Sequence, residues 1–189
     1  MKKGWTTTKL ITAGSLGVLH LILNLPATSI AVITGVPLSS GVVNIFVGGI
    51  IFSLTVLIID EFGAATIMIL IYSILALPLP LSGTPGFLPK VIFNPLLGLF
   101  IDCVYLLAKK NKRLAAILVG GFSQFFVPII VVNTGKIFNI PGISTAEKMF
   151  TSPKILVGVF IAGAISGYIG YLIFQKIKTS SILQRIQGV

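Results

Sequence analysis

The segment that decides the fold is Ser82–Lys110, SGTPGFLPKVIFNPLLGLFIDCVYLLAKK. It begins with a turn-rich part containing two glycines and two prolines, continues as an apolar run, and ends in two lysines. The 19 residues from Lys90 to Ala108 would rise roughly 28 Å as a helix, close to the ~30 Å of a bilayer's hydrocarbon core. The segment therefore predicts a membrane-spanning helix that is preceded by a turn.

The polar residues of this predicted helix share one face. They follow one another at steps of four, four, four and three positions: Lys90, Asn94, Gly98, Asp102 and Tyr105. Residues three or four apart lie on the same side of a helix. Lysine, asparagine and aspartate are costly in contact with lipid. We therefore expect this face to contact protein or a water-filled cavity, with the other helices placed around it.

Composition assigns the whole chain to the membrane class. Hydrophobic residues make up 55% of the 189 residues and charged residues 10%, with a mean hydropathy of +1.07. Soluble domains have about 45–50% apolar and about 25% charged residues. The sequence predicts an all-α integral membrane protein that forms a single bundle over residues 1–189. Its single cysteine, Cys103, excludes an intrachain disulfide.

Apolar runs separated by prolines, glycines and charges predict six spanning helices. Their approximate bounds are 10–25, 41–59, 64–79, 90–108, 114–133 and 154–174. Pro26 is expected to end the first helix, and 26–40 to form an uncharged loop or half-helix. A cleaved signal peptide ending at Ala31 is the alternative interpretation of the first run. In the polar connection 134–153, the residues Ser144–Glu147 match a capping box that begins a short helix.

The basic residues are concentrated on one side of this predicted topology. The N-terminus, the turn after the fourth helix and the C-terminus carry three, four and three of the 14 lysines and arginines. The positive-inside rule therefore predicts that both termini are cytoplasmic and that the long loops are external. Because topology accounts for the net charge of +10, nucleic-acid binding is not indicated.

No catalytic or metal-binding pattern is present. One histidine excludes the zinc sites that need two, and the glycines before Lys90 lack the spacing of a phosphate-binding loop. Ser15 and His20 lie five residues apart, where their side chains diverge. The sequence predicts no enzyme, no catalytic residue, no cofactor and no metal.

The intramembrane polar residues predict a binding site instead. They map to the middle or outer half of their helices: His20, Asn24, Asn44, Lys90, Asn94, Gln124 and Asn133. The simpler interpretation of these residues is that they form helix–helix hydrogen bonds. For Lys90 the simpler interpretation is an interfacial lysine that snorkels to the lipid headgroups. Together they predict a site open to the outside, in which Lys90 and Asn94 bind the polar end of a ligand. Phe87 or Phe93 is expected to cover its apolar part.

The layout resembles the substrate-binding S-components of energy-coupling factor (ECF) transporters, small basic six-helix proteins of prokaryotic plasma membranes. The matching features cover nearly the whole chain: Ala13 and Gly17 in the first helix, the uncharged 26–40 connection, the turn at Pro85–Lys90, the KKNKR turn and the glycine-rich last helix. The resemblance implies that the chain binds a vitamin or a related small organic solute. It also implies a coupling membrane subunit, which Ala13 and Gly17 would contact, and two ATP-binding subunits.

Two other functions remain open on the sequence. A stand-alone secondary carrier needs an ion-coupling group in the membrane, for which Asp102 is the candidate. A membrane assembly subunit needs no binding site at all.

Overall fold

The computed structural model describes residues 4–34, 39–79, 81, 85–139, 147 and 152–187. Within these ranges the regular structure is helical and consists of seven helices. They are α1 (Thr7–Thr34), α2 (Ser39–Ile59), α3 (Ala64–Leu75), α4 (Lys90–Ala108), α5 (Lys112–Ile137), α6 (Pro153–Ile177) and α7 (Ser181–Gln187). The all-α prediction is confirmed for the described residues.

Four of these helices are long and apolar enough to cross a membrane. They are the Thr7–Ala27 part of α1, and α4, α5 and α6 over their whole lengths. The described apolar part of α2, Val43–Ile59, and the whole of α3 are shorter than a span. The structure therefore supports a membrane protein with four spanning helices, and the predicted number of six is not reached among the described residues.

The prolines interrupt the chain less than the sequence suggested. The first helix was expected to end at Pro26, but α1 continues through it to Thr34. The loop alternative is therefore wrong for residues 26–34, which are helical, and residues 35–38 lie outside the described part. α5 passes through Pro128, which the predicted 114–133 helix already contained, and ends at Ile137 rather than near residue 133. A proline removes one backbone donor, and membrane helices tolerate this where neighbouring groups satisfy the freed carbonyl.

Helix α3 is shorter than predicted. The sequence suggested a helix over 64–79, but α3 ends at Leu75 after 12 residues, which is about 18 Å of helix. The following segment turns back on itself, with the amide of Gly86 donating to the carbonyl of Leu77 at 2.7 Å. Gly86 adopts a φ of 78° in this turn, a conformation that favours glycine.

Four parts of the chain meet at one end of the bundle, which we call the charged end, and are joined there by ion pairs and by hydrogen bonds to backbone carbonyls. Lys9, near the start of α1, pairs with Glu61 in the α2–α3 turn at 2.6 Å. Lys109, in the α4–α5 turn, pairs with Asp60 at 3.2 Å. The side-chain amide of Gln187, at the end of α7, donates to the carbonyls of Leu57 and Ile58 at the end of α2. Both ends of the described chain therefore lie at the same end of the bundle.

Asp60 lies just outside the spanning segments and is the centre of these charged contacts. Its carboxylate accepts a hydrogen bond from the hydroxyl of Tyr105 at 2.6 Å and lies 3.6 Å from Lys112. Burial by itself would raise the pKa of Asp60. The Tyr105 hydrogen bond and the charges of Lys112 and Lys109 outweigh it and hold the pKa below its ordinary value.

Small residues bring α6 into close contact with α5 and α2. A Cβ on Gly163 would lie 2.5 Å from the carbonyl oxygen of Gly120, and one on Gly49 would lie 2.6 Å from Cβ of Ser166. Gly158, in the first part of α6, has open space where its Cβ would be. The expected close packing of the last helix is therefore found over its middle and later turns. Close backbone approach of this kind is how membrane helices associate where lipid is as apolar as the side chains.

Candidate solute-binding cavity

Lys90 holds the end of α3 rather than facing a binding site. Its side chain is 2% exposed, and Nζ donates to the carbonyls of Ala76, Leu79 and Leu81 at 2.7, 3.3 and 3.1 Å. These carbonyls belong to the segment that follows α3, and that of Ala76 also accepts a hydrogen bond from the amide of Leu79 at 3.0 Å. Lys90, which was predicted to donate a hydrogen bond to a ligand, therefore has a structural role at the end of α3.

Asp102 holds the other end of the same helix. Its carboxylate accepts hydrogen bonds from the amides of Ala65 and Thr66 at 3.0 and 3.1 Å and from the hydroxyl of Thr66 at 2.6 Å. A carboxylate at a helix N-terminus and an ammonium at its C-terminus both complement the helix dipole. Lys90 and Asp102 are 12 positions apart in α4, and α3 is 12 residues long. The separation of Lys90 and Asp102 along α4 therefore matches the length of α3, so the two side chains reach opposite ends of that helix.

A cavity lies among the remaining polar residues. It is lined by polar side chains of α1, α2, α3, α4 and α5 and by apolar walls, and the space open to the centres of water-sized molecules is about 90 Å³. The lining residues are His20, Asn24, Asn44, Gly48, Phe52, Ile69, Tyr72, Asn94, Leu97, Gln124, Val127, Ile130 and Val131.

The cavity lies toward the end of the bundle opposite the charged end. α2 and α4 both run toward the charged end, and Asn44 and Asn94 lie near their other ends. Asn44 is five residues into α2 and Asn94 four residues into α4, which places them about 7.5 and 6 Å from the helix starts. Gln124 lies near the middle of α5. The cavity therefore extends from mid-bundle toward the end opposite the charged end.

Four of the seven predicted ligand-binding residues line this cavity: His20, Asn44, Asn94 and Gln124. The other three, Lys90, Phe87 and Asn133, do not. The ring of Phe87 packs edge to face on Phe138 at 5.5 Å. Asn133 is exposed and donates to the carbonyl of Ile129 in its own helix at 2.7 Å.

Asn24, one helical turn after His20, was named among the intramembrane polar residues and also lines the cavity. Other lining residues were not predicted. Tyr72 and Phe52 stand in apolar runs that give no signal. Gly48 allows α2 to approach α5, since its Cβ would lie 2.5 Å from Nε2 of Gln124.

The polar groups of the cavity differ in how far the protein satisfies them. Nδ2 of Asn94 donates to the hydroxyl of Ser73 at 2.9 Å, and Nε2 of Gln124 donates to the hydroxyl of Ser123 at 3.1 Å. By contrast, Nδ1 of His20 and Oδ1 of Asn44 are buried and have no hydrogen-bond partner among the described residues. Buried polar atoms normally have partners. These two atoms are therefore candidates for ligand contact.

The histidine ring forms part of an aromatic wall. It is 5% exposed and stacks on Tyr72 with 4.6 Å between ring centroids and 25° between planes. Phe52 meets it edge to face at 5.8 Å. The cavity thus combines amide groups with flat aromatic surfaces.

Ala13 and Gly17 lie inside the fold. Ala13 is fully buried, and a Cβ on Gly17 would lie 2.6 Å from the carbonyl oxygen of Met68 in α3. The pair was expected to contact a separate coupling subunit. In the structure Gly17 allows α1 to pack closely against α3, and Ala13 is buried within the bundle.

The cavity offers hydrogen bonding without charge. None of the residues that line it is aspartate, glutamate, lysine or arginine. No group of three or more potential metal-ligating side chains occurs in the part of the chain that the structure describes. No protein-family model, no curated protein and no solved structure matches the chain. The function is therefore inferred from the cavity, the packing and the sequence pattern.

Proposed function

We propose that this chain is the substrate-binding membrane subunit of an ECF-type importer and captures a small organic solute, such as a vitamin or a related molecule. The observation that carries the proposal is the cavity, in which polar side chains from several helices converge between apolar walls. Small-molecule sites commonly have this composition and often lie between the helices of bundles.

The distribution of charge supports the orientation that import requires. The N-terminal, α4–α5 and C-terminal segments carry ten of the 14 basic residues, and the contacts of Lys9, Lys109 and Gln187 belong to the charged end. By the positive-inside rule this end is cytoplasmic, with both termini inside, and the resemblance to S-components implies the plasma membrane of a prokaryote. The cavity then lies toward the outer surface, where an importer collects its solute.

The coupling partners follow from the resemblance to S-components. We propose that a coupling membrane subunit and two ATP-binding subunits complete the importer. Since Gly17 packs against α3 and Ala13 is buried, the coupling subunit contacts another surface of this chain.

The two other functions receive less support. Ion coupling in a stand-alone carrier would use Asp102, yet its carboxylate binds the N-terminus of α3 through three hydrogen bonds. A pure assembly subunit has no use for a cavity in which buried polar atoms have no partner among the described residues.

Binding by purified variants tests the proposal. The protein is purified in mild detergent, bound small molecules are extracted and identified by mass spectrometry, and their affinities are measured by calorimetry. Removing the Asn44 side chain by Asn44→Ala deletes an acceptor that the described protein does not use. Affinity should fall roughly 5- to 150-fold, the equivalent of about 1–3 kcal/mol for an unpaired ligand group.

Asn133→Ala is the matched control, because it removes the same side chain from an exposed position outside the cavity. We expect it to leave the affinity unchanged. The absence of any bound solute, or uptake by this chain in vesicles that contain no ATP-binding subunits, would contradict the proposal.

A further inference from the structure

We infer that the cavity selects an uncharged, compact, ring-containing solute whose polar edge both donates and accepts hydrogen bonds, such as a carboxamide, lactam or cyclic urea. The inference rests on the proposed function and defines the chemical class of its ligand.

The helices that line the cavity contain long stretches without acidic residues, lysine or arginine. No aspartate, glutamate, lysine or arginine occurs in residues 10–59, 62–89, 91–101 or 114–135. All 13 residues that line the cavity fall within these stretches. A charged solute would therefore meet no opposite charge on the cavity wall.

The described charged residues nearest to the half of the bundle that contains the cavity are either bound to other protein groups or exposed. Lys90 binds three carbonyls, and Lys136 pairs with Glu147. Lys154, at the start of α6, is exposed. Lys148 is the one charged residue of this half that lies outside the described residues.

The free-energy cost of desolvation therefore disfavours the binding of both anions and cations in this cavity. Removing an ion from water without a counter-charge costs several kcal/mol, even after the protein relaxes. A neutral polar group loses much less and recovers it through hydrogen bonds. An acid or an amine would therefore bind in this cavity far more weakly than its uncharged analogue.

The lining groups match a solute with both donors and acceptors. Each of the four amide side chains, Asn24, Asn44, Asn94 and Gln124, carries one acceptor oxygen and one donor nitrogen. Oδ1 of Asn44 requires a donor, and Nδ1 of His20 a donor or an acceptor according to its tautomer. An amide, lactam or urea edge supplies both kinds of group next to each other.

The size and the walls favour a small flat ring. About 90 Å³ of water-accessible space is several times the ~10–15 Å³ that one water needs. The stacked rings of His20 and Tyr72 and the edge of Phe52 give flat apolar surface, which aromatic and heterocyclic rings contact well.

Three probes of matched size test this inference on the full-length protein in lipid nanodiscs. Pyridine-3-carboxamide is neutral, pyridine-3-carboxylate is its anionic analogue, and 1-methylpyridinium-3-carboxamide is its cationic analogue. Dissociation constants are measured by calorimetry at pH 7 for the wild type, Asn44→Ala and the control Asn133→Ala. Solutes that co-purify are extracted and their charge is determined by mass spectrometry.

We expect the neutral probe to bind at least tenfold more tightly than both charged ones, Asn44→Ala to weaken binding of the neutral probe, and any co-purified solute to be uncharged. A charged probe or solute that binds most tightly and is sensitive to Asn44→Ala would overturn the inference and leave the proposed function standing. Binding that is insensitive to Asn44→Ala would overturn the inference by moving the site elsewhere. If no probe binds and no solute co-purifies, both the inference and the proposed function fail.

Discussion

Replacing Lys90 by methionine tests whether a cation is needed at the end of α3. Methionine fills a similar apolar volume but donates no hydrogen bond. The carbonyl of Ala76 retains a second donor, the amide of Leu79 at 3.0 Å. The carbonyls of Leu79 and Leu81 lose the lysine donor that the structure gives them. The substitution therefore isolates the contribution of the ammonium group.

The expected loss of stability follows from these two carbonyls. Each buried acceptor left without a donor costs about 1–3 kcal/mol. Removing the ammonium also removes its own desolvation cost, which offsets part of this loss. We expect Lys90→Met to lower the free energy of unfolding by about 2–4 kcal/mol. For a protein of this length that corresponds to roughly 4–16 °C in Tm.

The assay is thermal unfolding in detergent, followed by the amount of monodisperse protein that remains after heating. Lys154→Met is the control, because it removes a lysine that is exposed at the start of α6. An unchanged Tm for Lys90→Met, within the scatter of the control, would refute the structural role of the cation. Solute affinity should change little at temperatures where the variant is folded, since Lys90 does not line the cavity. A 10- to 100-fold loss of affinity by the folded variant would instead return Lys90 to the binding site.

Three further predictions address packing, pH dependence and orientation. Gly163→Val should destabilise the bundle by about 1–3 kcal/mol in the same thermal assay, because its side chain would overlap a carbonyl of α5, whereas Gly158→Val should be neutral. The lowered pKa of Asp60 implies stabilisation that is present above the ordinary carboxyl pKa and is lost as pH falls through the folded value. The Tm difference between the wild type and Asp60→Asn should therefore shrink on acidification, and a constant difference would contradict the assignment. In intact cells, with the native cysteine removed, an impermeant thiol reagent should label a cysteine at Ser144 and spare one at Asn111, and the reverse pattern would invert the orientation.

The helical membrane class was predictable because it depends on composition and on the length of apolar runs. Both are properties of the sequence alone. The bounds of α4 were also predicted well, since Pro89 and Lys109 are strong local signals at either end. The end of α3 was not predicted correctly, because the apolar run continues to residue 79. The helix ends earlier, at the turn whose carbonyls accept hydrogen bonds from Lys90. That contact joins residues separated in sequence and leaves no local pattern.

Asn94 shows how the candidate site could be predicted in part. It lines the cavity, as expected if polar residues in apolar helices face one another, and its contact with a solute stays a prediction. Lys90 was placed in the site by the same reasoning but does not line the cavity, because helix periodicity gives the face of a side chain and not the partner that it finds there. Tyr72 and Phe52 were missed because an aromatic residue in an apolar run looks the same whether it lines a cavity or fills a core. The capping box at 144–147 lies outside the described residues except for Glu147, so it stays a prediction.

The polar residues of this bundle fall into two groups that sequence alone does not separate. Lys90 and Asp102 are each satisfied by three hydrogen bonds to the same neighbouring helix and the turn after it. His20 and Asn44 keep buried atoms without partners in the described chain. A buried polar atom without a partner costs stability, so a side chain that serves only packing would be replaceable by an apolar one with a gain in stability. If Asn44→Ala is as stable as the wild type, or more stable, and binds its solute less well, then the asparagine serves binding rather than folding. The charged groups of α4 should show the opposite behaviour, with stability lost and binding retained, and it is this difference in sign that distinguishes the cavity from the scaffold around it.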